Sequence, residues 1–121
     1  MSDDIEHLRE RQEEFIEERD WDQFHTPKST AMALSVEANE LVELFQWHDN
    51  LPADAYESDS DIQNAVQDEL ADILIYTISM AAQFDIELSE VVGEKIDANA
   101  DRYDTETAEQ ITQDLAQWKR R

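Results

Sequence analysis

Apolar residues recur every three to four positions along most of this chain of 121 residues, in segments separated by short polar or proline-containing stretches. That spacing is typical of amphipathic helices, and no stretch alternates for long enough to indicate a strand. The sequence therefore predicts an all-α protein, a bundle of four to five helices. Its length favours one domain over residues 1–121. The predicted helices cover about residues 3–20, 27–48, 60–84 and 88–103, with a last, more polar helix from 105 into the basic tail 119–121.

Turn chemistry sets the predicted boundaries of these helices. Thr26 and Pro27 fit an N-cap and a first helical position, where the missing amide hydrogen of proline costs nothing. A loop is expected from Pro52 to about Ser60. Near its end, Ser58 and Asp61 resemble a capping box for the third helix. Asp104 is expected to cap the last helix.

Two of the predicted helices carry acids on the side where their apolar residues lie. At about 100° per residue, Glu37 falls within the apolar stripe of the second helix and Glu40 lies beside it. Glu69 and Asp72 repeat this arrangement on the third helix. Glu43 lies further round and is expected to reach solvent. Each long helix therefore carries an i, i+3 pair of carboxylates that points where a core is expected.

Buried charges are usually paired or bound to a metal, and the chain has only 9 basic residues to pair with 31 acids. Four clustered carboxylates need a strong counter-charge, and oxygen ligands in a chain without cysteine suit a hard ion. We therefore predict a site for magnesium, with manganese as the alternative ion, formed by Glu37, Glu40, Glu69 and Asp72. The competing interpretation places these acids at the edge of the stripe, in contact with solvent.

The fourth predicted helix carries Lys95, Asn99 and Arg102 at i, i+4 and i+7, on the side that also carries apolar residues. Two roles are open for this group. The cations could neutralise neighbouring acids in structural salt bridges, or they could hold the phosphates of an anionic substrate.

Trp21, Trp47 and Tyr76 come from the first connector, the end of the second helix and the middle of the third. Aromatic residues at helical spacing usually belong to a core. Because Trp21 and Trp47 flank the acidic second helix, they could instead stack on a planar base.

The net charge of -22 disfavours several classes of partner. A nucleic acid polymer and an anionic membrane surface both require basic side chains. The sequence starts with Met1-Ser2-Asp3-Asp4, which does not resemble a signal peptide, so a soluble, cytoplasmic protein is expected. An acidic coat of this size suits a cytoplasm rich in salt, where screening relieves self-repulsion; the alternative is an acidic surface that is incidental or serves a partner.

The ordered motifs resemble those of a known family. Two acidic motifs are similar to the signature of the all-α MazG-like nucleotide pyrophosphohydrolases. They are Glu37-x2-Glu40 and, after 28 intervening residues, Glu69-x2-Asp72. Residues 17–25, 40–47 and 72–76 resemble the dCTP pyrophosphatase branch, and residues 95–103 are similar to a later motif of the family. The family often has a histidine where this chain has Gln12.

This resemblance implies a helical bundle that assembles into a homodimer or homotetramer and hydrolyses a nucleoside triphosphate between the α- and β-phosphates. It implies that the four acids bind magnesium and that one of them orients or deprotonates the attacking water. By the same resemblance, Lys95, Asn99 and Arg102 would hold phosphates, and Trp21, Trp47 and Tyr76 would line the base and sugar pocket.

Two other classes of protein remain as alternatives. An acidic helical interaction module without catalytic activity would use the acids as a solvated surface. A di-iron carboxylate bundle would require Glu-x-x-His on two helices, and neither acid pair is followed by histidine at that spacing.

Overall fold

The structure, a computed structural model, describes residues 4–119 and consists of five α-helices and two short 3₁₀ turns. The helices are α1, Ile5–Glu18; α2, Pro27–Glu43; α3, Ser60–Gln83; α4, Leu88–Arg102; and α5, Thr105–Lys119. The 3₁₀ turns are Asp22–Phe24 and Ala53–Tyr56. No strand occurs between residues 4 and 119, so the all-α prediction is confirmed. Arg120 and Arg121 of the predicted basic tail lie outside the described residues.

Side-chain caps mark where α2, α3 and α5 begin. Thr26 accepts a hydrogen bond from the amide of Ser29 at 3.3 Å, directly before Pro27, as predicted. The predicted cap at Asp104 is also confirmed, since its carboxylate accepts from the amide of Thr107 at 2.8 Å. The capping box at Ser58 is wrong. Helix α3 is capped one residue later by Asp59, whose carboxylate accepts from the amide of Ile62 at 3.1 Å.

Aspartate, rather than glycine, ends two of the helices. Asp20 follows α1 with φ 55°, and Asp85 follows α3 with φ 52°. The next amide after each one, at Trp21 and Ile86, reaches back five residues to a helix carbonyl at 3.0 and 2.8 Å. This is the Schellman pattern, and aspartate tolerates its left-handed position better than most residues with a Cβ.

Helix α2 ends at Glu43, so its predicted extension to His48 is wrong. The chain continues in tighter turns, in which the amide of Phe45 donates to Val42 O at 3.0 Å and the amide of His48 donates to Phe45 O at 2.9 Å. The Phe45 ring also packs edge-on against Tyr56 of the second 3₁₀ turn, with centroids 5.6 Å apart. This contact between two connecting segments accompanies the change from helix to turns.

The chain divides into two compact units, one up to Ile86 and one from Glu87 onward. In the first unit, α3 packs most extensively against α2 and also contacts α1. Its most buried apolar residues, Ile78 and Ala81, both belong to α3. Many large apolar side chains in residues 4–119 are exposed, including Met32 and Leu70. None of the helices in this range is long and apolar enough to cross a membrane.

Candidate metal centre

Three of the four predicted acidic ligands come together across α2 and α3. One carboxylate oxygen from each of Glu37, Glu40 and Glu69 lies within 4.8 Å of the other two. The i, i+3 spacing places Glu37 and Glu40 side by side on α2, and α3 supplies Glu69. We call these three residues the glutamate cluster. It contains no histidine, so the described residues offer no support for the Glu-x-x-His arrangement of a di-iron bundle.

The glutamate cluster brings carboxyl groups close together and contains buried oxygens without hydrogen-bond partners. Glu37 Oε2 and Glu69 Oε2 are buried and have no hydrogen-bond partner. Hydrogen bonding with Glu69 raises the pKa of Glu37, and desolvation and the negative charge of Asp72 raise it further. Hydrogen bonding with Glu37 raises the pKa of Glu40. Crowded carboxylates with unpartnered buried oxygens fit a hard divalent cation, because such an ion supplies the missing positive charge and prefers oxygen ligands.

Asp72 stands apart from the three glutamates. Its side chain is exposed and is not part of the group whose oxygens converge within 4.8 Å. Its charge nevertheless acts on Glu37, so it belongs to the electrostatic surroundings of the cluster. Its role as a metal ligand stays a prediction. The expectation that Glu43 reaches solvent is confirmed, since Glu43 is exposed and accepts a hydrogen bond from Asn39 at 3.1 Å.

The three predicted base-binding aromatic residues have different surroundings. The Trp21 ring packs edge-on against Phe15 of α1, with centroids 5.8 Å apart. Trp47 lies in the turns that follow α2 and is 89% exposed. Tyr76 is half-buried in the middle of α3. An aromatic ring as exposed as that of Trp47 does not belong to a core within this chain, but its role in binding a base stays a prediction.

The predicted phosphate-binding residues Lys95, Asn99 and Arg102 lie on α4, in the second compact unit. All three are exposed. The Arg102 guanidinium lies 5.1 Å from the centroid of the Tyr103 ring, within cation–π range. Their role in binding phosphate stays a prediction.

Apart from Gln12, the sequence interpretation missed a group of polar residues in the first unit. Gln83 Nε2 donates to Thr30 Oγ1 at 2.8 Å, and Gln12 Nε2 lies 3.4 Å from Ser79 Oγ. Helical spacing gives a weaker signal for these residues than for the acids. Thr30 precedes Glu37 by seven residues, nearly two full turns, so the two share a face of α2. Ser79 and Gln83 follow Asp72 by seven and eleven residues and share its face of α3.

Fold and site together define an all-α protein with an acidic candidate metal centre on a pair of packed helices. Comparison with known proteins identifies the family. The sequence profile of the MazG-like family matches residues 32–117, which include the whole glutamate cluster. The chain belongs to the MazG-like family, as its motifs predicted.

Several characterised proteins resemble the chain. It is 39% identical to dCTP pyrophosphatase 1 of Mus musculus over 99 residues, which is 82% of this chain and 58% of that protein. It is 42% identical to dCTP pyrophosphatase 1 of Homo sapiens over 100 residues, with 82% and 58% covered. The chain thus spans somewhat more than half the length of these relatives. The crystal structure of a pyrophosphatase from Archaeoglobus fulgidus matches with a TM-score of 0.74 and 31% identity, over 87% of this chain and 96% of that one.

Proposed function

We propose that this protein hydrolyses a nucleoside triphosphate between the α- and β-phosphates, releasing the monophosphate and pyrophosphate. Magnesium is the metal, and a deoxynucleotide such as dCTP is the substrate. The observation that carries the proposal is the convergence of Glu37, Glu40 and Glu69 with two buried, unpartnered oxygens. The pyrophosphatase names of the relatives support the reaction, and the name dCTP pyrophosphatase 1 supports the choice of nucleotide.

Glu37, Glu40 and Glu69 would hold the ion, and Asp72 would join them from the neighbouring turn of α3. An ion held there would supply positive charge for the phosphates and make a nearby water more acidic. A carboxylate of the cluster would orient the attacking water and accept its proton as general base.

The other predicted residues bind the rest of the substrate. Lys95, Asn99 and Arg102 hold phosphate oxygens, because two cations and an amide supply hydrogen-bond donors for an anionic group. Trp21, Trp47 and Tyr76 line the pocket for base and sugar. The substrate is a single nucleotide rather than a polymer, since a net charge of -22 disfavours a long phosphate backbone.

The active form is a homodimer or homotetramer. Exposed large apolar side chains on α2 and α3, among them Met32, Val42 and Leu70, support assembly, because contact with a second copy of the chain would bury them. We further propose that the protein works in the cytoplasm and is adapted to high salt, which screens the repulsion within its acidic coat.

A substrate panel tests the proposed reaction. The protein is incubated with dCTP, dTTP, dUTP and ATP in high salt, with and without magnesium, and the products are separated by ion exchange. We expect monophosphate and pyrophosphate in equal amounts, only with magnesium, and fastest from dCTP. Release of orthophosphate alone, or no turnover of any nucleotide, contradicts the proposal.

A further inference from the structure

Helix α5 carries a stripe of apolar residues along one side, within the second compact unit. Its members recur at intervals of three, four and three residues: Ala108, Ile111, Leu115 and Trp118. Leu115 is 57% exposed and Trp118 is 70% exposed. Among the described residues, α5 does not pack extensively along α4, so the other helix of this unit leaves the stripe open. We call these four residues the α5 seam.

The spacing of the α5 seam is that of a coiled coil. In a heptad written a to g, the seam residues take positions a, d, a and d. A helix that packs on a globular core usually has a broader stripe, with apolar residues at e or g as well. In α5 the e and g positions next to the seam are polar: Thr107, Thr112, Asp114 and Lys119. A seam this narrow fits one other helix.

The charges beside the seam identify that helix as α5 of a second copy. In a parallel pair, a g residue of one chain lies next to the e residue that comes five positions later in the other chain. Asp114 is at g, and Lys119 follows it by five positions at e. Two-fold symmetry forms this ion pair twice. In an antiparallel pair g faces g and e faces e, so Asp114 and Lys119 do not meet.

The other acids of α5 lie away from the seam. Glu106 is at f and Glu109 is at b, so neither faces a parallel partner helix. Asp114 accepts a hydrogen bond from Gln110 of its own helix at 3.1 Å, and a carboxylate has room to accept another from a lysine. For a chain of net charge -22, a seam arranged in this way avoids much of the repulsion between two copies.

We propose that α5 is an interface between two copies of this chain, in which the two α5 seams pair in parallel. The seam extends over about 15 Å, and isolated helices of this length are marginally stable, so the pairing joins helices that are already folded in their own chains. The inference goes beyond the proposed assembly through α2 and α3, and it does not rest on the proposed reaction.

Disulfide cross-linking of the full chain tests this pairing. The chain has no cysteine, so a single introduced cysteine reports one position. In a parallel pair, position 108 of one chain faces position 108 of the other, and a disulfide requires Cα atoms within about 7 Å. Under mild oxidation at micromolar concentration, Ala108→Cys should form a covalent dimer at least about tenfold faster than Gln113→Cys. Gln113 is the control because it is exposed and occupies position f, on the far side of α5.

Second substitutions in the Ala108→Cys chain test the seam and its ion pair. Leu115→Glu should slow cross-linking about tenfold, because it places a charge within the paired seam. Gln113→Glu adds the same charge on the far side and should leave the rate unchanged. At physiological ionic strength, Lys119→Glu should slow the reaction about two- to fourfold, and adding Asp114→Lys to it should restore the rate. Circular dichroism shows whether each variant keeps its helices.

The outcomes separate this inference from its alternatives. If Ala108→Cys cross-links no faster than Gln113→Cys, α5 does not pair with a second copy, whatever else covers the seam. If Ala108→Cys cross-links only with Trp118→Cys in a mixture, the helices are antiparallel and the inference is wrong. It is also wrong if Gln113→Glu slows the reaction as much as Leu115→Glu.

Nucleotide hydrolysis by the wild type is measured alongside. Cross-linking at position 108 without hydrolysis of any triphosphate leaves the α5 interface standing and removes the proposed reaction. Hydrolysis without such cross-linking removes the interface and leaves the reaction.

Discussion

Replacing Glu69 with glutamine tests whether the glutamate cluster binds magnesium, since the change keeps the size of the side chain and removes its charge. An ion at a hundred times its dissociation constant stabilises the folded state by about 2.7 kcal/mol. For 121 residues, an unfolding entropy of about 2.1 cal/mol/K per residue gives about 0.25 kcal/mol/K, so the midpoint of thermal unfolding should rise by about 10 °C. If Glu69→Gln lowers the affinity for magnesium a hundredfold, the same magnesium concentration stabilises the folded state by only about 0.4 kcal/mol. The midpoint of thermal unfolding then rises by under about 2 °C.

The measurement is thermal unfolding followed by circular dichroism, with and without magnesium, in molar sodium chloride. The salt background matters because magnesium also screens the acidic coat, and that effect is already saturated at high ionic strength. Glu43→Gln is the control, since Glu43 is an exposed acid on α2 outside the cluster. It should respond to magnesium like the wild type. If Glu69→Gln keeps the full response, or if Glu43→Gln loses it equally, the cluster is not the binding site.

Three further results are expected from the same molecule. Without metal, the free energy of unfolding of the wild type should fall relative to that of Glu37→Gln as the pH rises above about 4.5. The reason is that folding raises the pKa of Glu37, so Glu37 favours the folded state only while it is protonated. If urea titrations show a difference between the two proteins that does not change with pH, this reasoning is wrong. Thr30→Val should lower the free energy of unfolding, measured in urea, by about 1–3 kcal/mol, because it leaves the amide of Gln83 without its partner. Thr30→Ser should retain that hydrogen bond. If the two variants lose the same free energy of unfolding, the hydroxyl has no such role. The unfolding temperature should rise with sodium chloride up to molar concentration, since the net charge is -22, and a flat response contradicts the interpretation of the coat.

The fold could be predicted from local chemistry more fully at helix starts than at helix ends. Thr26 and Asp104 act within three residues of themselves, so their sequence neighbours are sufficient to identify them. The end of α2 is different, because the turns that replace its last predicted residues pack Phe45 against Tyr56, eleven positions away. No local periodicity encodes a contact between two connecting segments.

The acidic part of the site was predictable because it contradicts the helical pattern. Glu37 and Glu69 carry charge within an apolar stripe and Glu40 lies beside one, so helical spacing marks them. The same spacing also marked Asp72, which is exposed and lies outside the cluster. The polar part was not predictable in the same way. Gln83 and Thr30 lie 53 positions apart and are neutral, and such residues are common on helix surfaces. Only the packing of α3 against α2 shows that they bury each other and leave one acceptor unpaired.

The position of the glutamate cluster would link folding to the metal binding that we propose for it. It spans α2 and α3, the two helices with the most extensive contact in the first unit, so repulsion between its carboxylates acts on the packing that holds this unit together. Hydrogen bonding between the carboxyl groups, and to a smaller extent their mutual negative charge, raises the pKa values of Glu37 and Glu40. A bound divalent cation would offset the repulsion between the carboxylates, because all of their oxygens would then attract the same ion. A triphosphate brings further negative charge to a protein of net charge -22. Nucleotide binding should therefore depend more strongly on the cation here than in a protein whose phosphate site is basic.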